Sequence, residues 1–446
     1  MRPSLASAAL ALATLLPPVT LPSAVQAQED DRSYLVAFLE DNLSGVGRKV
    51  TITGFEGALS ARATIEKLEI ADDLGIWITL EGVALDWSRS SLLSGEVDVS
   101  ELTADVITLA RLPVMAEDGT PSAEATPFAL PELPVSIAVD KVEASRIVLE
   151  SAILGEEVEG RLEASLSLSG GEGQAALVLE RTDGPESRIT LDAGYSNATG
   201  ALSMDLAAVE QADGIAARLL DLPGRPAVDL TIKGAGTLAD FTAEVRLASD
   251  GELRLAGPVT IKAGDKDETR FAADLTGDLA PLFLPDYAAF LGDRVGLGVA
   301  GARWPSGRVV LDRLALQTRA LQLSGSATVA GDGLPEAFDI TALLAGQDGQ
   351  PVLLPLTGEG RTWLRRGEIV LAFDARKDNG WTGRASLLGL ETDSMRLGTA
   401  ELKGSGRIAR LPGGNSLGAT LDFAAQGLAL ADAAMQAAVG DAVGGK

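Results

Sequence analysis

Arg161-Leu162-Glu163-Ala164-Ser165-Leu166-Ser167-Leu168-Ser169 decides the fold class. Apolar and polar residues alternate through it without a break. Leu162, Ala164, Leu166 and Leu168 therefore share one face of an extended chain, and the polar side chains share the other. A helix would scatter those leucines around its axis, whereas a strand with one covered face collects them. The same period of two recurs over 188–193, 202–206, 228–233, 241–247 and 252–255.

Outward from these runs the punctuation is that of hairpins. Asp-Gly pairs tolerate the positive φ angles of tight turns and stand at Asp118-Gly119, Asp183-Gly184, Asp250-Gly251, Asp332-Gly333 and Asp348-Gly349. Consecutive strands are therefore expected to be antiparallel neighbours. Helical spacing is confined to 33–43, 214–222, 279–291 and 429–439. A doubly wound α/β sheet needs a helix for every crossover, so that class is excluded.

Composition narrows the chemistry. The chain has 446 residues, 46% of them apolar, yet Phe, Trp and Tyr together supply only 4% and Gly fills 50 positions, so the interior is aliphatic. Lys and Arg total 37 against 63 Asp and Glu, a net charge of -26, which opposes binding to nucleic acid. Cys and His are both 0. Disulfides, thiol nucleophiles, Cys or His metal sites and imidazole-based catalysis are thereby excluded, and neither a cofactor nor an enzymatic activity is expected.

The first residues read as an address. Arg2 is followed by a 5–16 apolar run of Leu, Ala, Ser and Thr, and Val25-Gln26-Ala27 offers small residues where a signal peptidase cuts. Pro17, Pro18 and Pro22 oppose a continuous spanning helix, so residues 1–27 are expected to be a signal peptide cleaved near Ala27, the alternative being a retained N-terminal anchor. Either places the remainder across the inner membrane. Residues 28–115 form an N-terminal β region behind a short leading helix. Pro121, Pro127, Pro131 and Pro134 make 116–134 an irregular linker, and 135–446 is a repetitive β region.

A sheet with one aliphatic face and few helices must fold on itself, close into a barrel, or hold something apolar. The expected fold is accordingly mostly β: a long antiparallel sheet curled into an elongated groove, with a few short helices. At ~4.8 Å between strands, on the order of 35 strands would make a ribbon of up to roughly 150 Å. The candidate floor is collective: Leu162, Leu166, Leu168, Ile189, Leu191, Leu202, Met204, Leu206, Leu230, Ile232, Val245 and Leu247. Its rival interpretation is the core of a closed sandwich.

Residues 50–113 resemble the N-terminal region of TamB-type proteins of the AsmA-like family, which span the periplasm of Gram-negative bacteria. The likeness is carried by Ile52-Thr53-Gly54-Phe55-Glu56-Gly57-Ala58-Leu59, Leu68-Glu69-Ile70-Ala71-Asp72, Trp77-Ile78-Thr79-Leu80, Val83-Ala84-Leu85-Asp86-Trp87 and Leu92-Leu93-Ser94-Gly95-Glu96-Val97, in that order. Farther on, Asp274-Leu275-Thr276-Gly277-Asp278-Leu279-Ala280-Pro281-Leu282 resembles an AsmA-type strand leading into a short helix. The resemblance implies an apolar concave sheet that carries phospholipid acyl chains between inner and outer membranes. It also implies attachment to the inner membrane, and an outer-membrane barrel partner, TamA, engaged through a C-terminal domain with no counterpart here. The chain then corresponds to an N-terminal portion or a short form. The alternative function is a scaffold for outer-membrane barrel assembly that acts by strand augmentation, and a third is a passive surface stalk.

Other motifs are read as structure. Gly414-Asn415-Ser416-Leu417-Gly418 fits a nucleophile elbow but has no imidazole partner and is read as a loop or turn, and Gly296-Leu297-Gly298-Val299-Ala300-Gly301 fits a Gly-rich strand better than a phosphate loop. Asp265, Asp267 and Glu268 lack calcium-loop spacing and are assigned to a hairpin tip. Trp77 and Trp87 are expected on adjacent strands, in the core or against lipid.

Overall fold

The computed structural model describes residues 40, 49–57, 62–88, 96–113, 136–264, 267–356, 360–377, 379–411 and 414–446. The expected signal segment, the linker 116–134 and, apart from Glu40, the leading helix lie outside the described residues, as do Asp265 and the turn at Asp118-Gly119. The protein is mostly β, with 67% of the described residues in strands and 9% in helices. Two compact units divide the chain: Met1–Asp221 with Arg225–Thr237, and Leu222–Gly224 with Leu238–Lys446.

In the first unit the strands are β1 (Lys49–Thr53), β2 (Arg62–Asp72), β3 (Gly75–Ser88), β4 (Glu96–Leu109) and β5 (Ser136–Leu149). They continue as β6 (Val158–Ser169), β7 (Glu172–Arg181), β8 (Ser187–Ser196), β9 (Ala201–Glu210) and β10 (Val228–Thr237). Each pairs with the next in sequence, as hairpin punctuation demands. One junction departs from the expected antiparallel order, since β4 and β5 pair in parallel, Val99 opposite Val139 and Leu109 opposite Leu149. Parallel neighbours need a long return connection, and residues 110–135 supply its length. The described strands on either side of the Pro-rich stretch thus belong to one sheet.

The second unit contains β11 (Asp240–Ser249), β12 (Glu252–Ala263), β13 (Thr269–Gly277), β14 (Val295–Arg303), β15 (Val309–Gln317), β16 (Leu321–Val329) and β17 (Pro335–Ala345). After these come β18 (Val352–Leu353), β19 (Thr362–Asp374), β20 (Gly380–Thr392), β21 (Met395–Leu411), β22 (Gly414–Gln426), β23 (Ala429–Leu430) and β24 (Ala442–Gly445). The pairing again follows the sequence, except that β17 reaches past the two-residue β18 to β19, and β23 and β24 return to β21 and β22. The turn from β11 to β12 uses Asp250 and Gly251 at φ 51° and 78°, the two positive values that a tight hairpin requires. Asp348 and Gly349 adopt φ 50° and 70° between β17 and β18.

Helices are few and short, as the sequence indicates. Ile215–Leu219 lies within 214–222, and Ala433–Val439 within 429–439. The stretch 279–291 is broken by Pro281 and Pro285 into the turns Ala280–Leu282, Pro285–Tyr287 and Ala288–Leu291. These turns bury Phe290 and Leu291 against Val295, Ala320 and Val352, with Leu316, Leu321 and Leu344 around them. Trp77 and Trp87 both fall in β3 and not on adjacent strands, because β3 continues from Gly75 to Ser88 through Gly82, whose φ of 61° takes the place of a turn without shifting the register. The glycines of 296–301 lie in β14, as expected, whereas 414–418 is not a loop or turn but opens β22, paired with the end of β21.

Among the described residues no large side chain falls below 2% exposure. A closed sandwich would bury several, whereas a sheet with an uncovered face leaves its aliphatic side chains half-buried. No helix among the described residues is long and apolar enough to cross a membrane.

Candidate functional site: the aliphatic face of the first unit

Cross-strand partners point to the same side of a sheet, so the pairing register assigns every side chain to a face. From β6 to β10 one row runs Leu166, Ala175, Ala193, Met204 and Gly234. The next runs Ala164, Leu177, Leu191, Leu206 and Ile232, and the one beyond it Leu162, Leu179, Ile189, Ala208 and Leu230. Leu168 and Leu202 lie on the same face. Ten of the twelve candidate residues are therefore brought to one side of one sheet. Val245 and Leu247 share a face of β11 with Phe241 and Ala243, and they belong to the second unit.

The face extends beyond what alternation alone finds. Leu177 and Leu179 sit in the run Ala175-Ala176-Leu177-Val178-Leu179, whose unbroken apolarity hides its parity until the register fixes it. Val139, Val142, Ala144 and Ile147 of β5 continue the face through two bulges, and β4 carries it on in Val99, Leu102, Ala104 and Ile107. At the far edge Val50, Ile52 and Phe55 pack on Ile65, Leu68 and Ile70. Leu168 is buried, Leu166 is 44% exposed, and Leu162, Ile189, Leu191, Met204, Leu206, Leu230 and Ile232 are half-buried.

The opposite face is polar and laced with ion pairs. Glu180 bridges Arg161 and Arg188, and Lys233 holds Asp205 at 2.8 Å. Asp192 stands directly opposite Asp205 in the β8–β9 register. A recess of about 870 Å³ takes two successive polar-face positions from each of β6 to β10. They are Ser165 and Ser167, Gln174 and Ala176, Asp192 and Gly194, Ser203 and Asp205, and Lys233 and Ala235. Of the twelve candidates only Leu166 and Met204 touch it, each as the residue between two polar-face neighbours. The recess belongs to the polar side, where short side chains leave a trough; on the aliphatic side Leu and Ile fill the equivalent space. A second recess, of about 340 Å³, repeats this in the second unit with Ser326, Thr328, Asp339, Asp374 and Thr382.

One end of the aliphatic face carries charge. Arg181 follows Leu177 and Leu179 on that face, opposite Gly160, and Glu210 follows Leu206 and Ala208. The Glu210 carboxylate accepts from the backbone N–H of Ile215 at 2.6 Å and of Ala216 at 2.7 Å, so the helix Ile215–Leu219 starts over this end of the sheet. Ala217 of this helix is fully buried. Arg218 reaches the carboxylate of Glu156 through both terminal nitrogens, Nη1 at 2.6 Å.

The described residues hold no cluster of three or more acidic ligands able to take a metal ion. Set beside family models, curated proteins and solved structures, the chain matches none of them.

Proposed function

We propose that the aliphatic face accommodates phospholipid acyl chains, and that the protein acts as a TamB-like, AsmA-like carrier of lipid in the periplasm between inner and outer membranes. Export by the N-terminal segment, association with the inner membrane and engagement of an outer-membrane barrel of the TamA type belong to the same proposal. No catalytic step is part of it. The observation that supports it is the continuity of the aliphatic rows from β1 to β10, half-buried and uninterrupted by charge through their middle. Exposing an acyl chain to water costs ~0.8 kcal/mol per CH₂, on the order of 25 kcal/mol for a two-chain lipid. A continuous aliphatic floor lowers that barrier by replacing bilayer contacts with side-chain contacts. Its fluidity comes from the absence of a polar hook in the central rows. A photoreactive amino acid at Leu191 or Leu230, followed by mass spectrometry of the captured species, tests the proposal. Phospholipid adducts at these positions and none at Thr190 or Thr231 support it; their absence at all four overturns it.

A scaffold for barrel assembly is the second reading, favoured by the edge of β22. Among the described residues β24 covers β22 only over Phe423–Gln426, and Leu417 to Asp422 have a neighbour on one side alone. Such an edge accepts an added strand. Capture of unfolded barrel precursor by this edge, abolished by Thr420→Pro, separates it from lipid carriage.

A further inference from the structure

The charged end of the aliphatic face contains a donor without an acceptor. The side chain of Arg181 is 8% exposed; its Nε donates to Asp183 at 2.7 Å, and its terminal nitrogen Nη2 lies 3.7 Å from Glu156, beyond hydrogen-bond reach. Its Nη1 is buried and has no partner among the described residues. A buried guanidinium N–H left unpaired costs more than a neutral one, so its persistence calls for an occupant. Glu156 already serves Arg218 with both oxygens, so a single carboxylate is spread over two guanidinium groups.

We infer that this end is a binding site for a phosphate oxyanion, supplied by the headgroup of a phospholipid whose chains lie on the adjoining rows; the lipid source rests on the proposed function above. Three features support it. The two anionic oxygens of a lipid phosphodiester match those of the carboxylate it would displace, and guanidinium groups pair with them in bidentate fashion. Glu156 and Arg218 are 36% and 30% exposed, so the exchange can begin from solvent while Arg181 remains enclosed. Arg181 also shares its face with Leu179, with Leu162 on the neighbouring strand, about 7 Å along the strand direction at two residues' rise. A phosphate held at Arg181 therefore delivers acyl chains directly onto Leu179 and Leu162. On a chain of net charge -26 an anionic headgroup needs such a local pair of cations.

The test compares three probes on the full chain: a short-chain phosphatidylglycerol, a diacylglycerol with the same chains, and inorganic phosphate. The expected result is at least tenfold tighter binding of the phosphatidylglycerol than of the diacylglycerol. Arg181→Gln should abolish that preference while leaving diacylglycerol affinity unchanged, and Arg181→Lys should restore part of it. Glu156→Gln, which removes the competing carboxylate, should strengthen phosphatidylglycerol binding severalfold, and this variant keeps the test decisive if Arg181→Gln does not fold. Inorganic phosphate competing at millimolar concentration supports the oxyanion site. Inorganic phosphate binding with no phosphatidylglycerol preference would assign the site to free phosphate and overturn the headgroup assignment. Equal binding of both lipids, unaffected by either variant, would overturn the site yet leave the aliphatic floor standing; binding of neither lipid would overturn the carrier proposal itself.

Discussion

The indole N–H of Trp381 donates to the carbonyl oxygen of Gly418 at 3.0 Å, although the two residues stand on β20 and β22 with β21 between them. The ring crosses β21 because Gly404 and Gly406 have no side chains there. A methyl group built at Gly404 would stand 2.8 Å from the indole, and one at Gly406 would stand 1.8 Å from the Gly418 oxygen. Three strands are thus pinned by one side chain and two missing ones. Gly404→Val is expected to destabilise the protein by ~1–3 kcal/mol through overpacking. Trp381→Phe, which keeps the ring and loses the donor, is expected to cost ~0.5–1.5 kcal/mol. Urea unfolding midpoints at constant slope measure both.

The two faces of β6 to β10 predict opposite responses to the same charge. Leu166→Glu or Leu230→Glu places a carboxylate among acyl chains, where burial without a partner costs several kcal/mol. Either is expected to abolish lipid capture with circular dichroism near wild type, since Leu166 is already partly in water. Ser165→Glu and Thr231→Glu, one residue away, point to the polar side and are expected to leave capture within twofold. Equal losses from both pairs would contradict a one-sided floor, and global unfolding by Leu166→Glu would favour a closed core.

Acid is expected to weaken the fold at identifiable ion pairs. The hydrogen bond from Arg146 holds the Glu159 carboxyl below its ordinary value of 4.5, and Arg376 holds Asp374 below 3.8. A lowered folded-state pKa means that the unfolded chain binds more protons, so stability rises with pH through this range. The contribution is fully present above about pH 5 and is lost as pH falls through the lowered folded values, below about pH 4. The two arginines are exposed and the carboxylates only half-buried, so water screens both pairs and the slope is shallow. Chemical denaturation at pH 7 and pH 3 should show the loss, and Arg146→Gln should flatten part of it.

Like charges face each other across β8 and β9. Asp205 is neutralised by Lys233, but Asp192 opposite it receives no such partner among the described residues. Asp192→Thr removes the repulsion and introduces a β-branched residue, so it is expected to stabilise the first unit by ~0.2–1 kcal/mol. A rise in the thermal midpoint at low salt that shrinks at high salt would confirm the electrostatic share.

How much of this was legible in the residues depends on how clean the alternation is. Leu162 to Leu168 and Ile189 to Leu191 declare their face by period alone, and the Asp-Gly turns fix the hairpins between the strands. Leu177 and Leu179 do not, because Ala176 and Val178 on the polar side are apolar as well. The parallel pairing of β4 with β5 was equally hidden: alternation reports which side a residue faces and nothing about the direction of its neighbour. The Arg181, Glu156 and Arg218 group could not be assembled from spacing, since Arg218 is 62 residues from Glu156 and arrives on a helix inserted between β9 and β10. The polar-side recess escaped because small side chains leave no periodic signature.

Pairing in strict sequence order makes the first unit extensible. Inserting or deleting a whole hairpin restores the chain direction and returns every later residue to its original side, so the floor can gain or lose length in two-strand steps while its chemistry is inherited unchanged. A single added strand would leave the next one starting from the wrong end of the sheet. The β4–β5 junction is the exception that absorbs such a change: its long return resets the direction once, so that β1 and β10, which an unbroken ten-strand meander would leave antiparallel, run the same way. An ancestor that changed its strand number by one could have kept its apolar surface intact only at a connection of this kind.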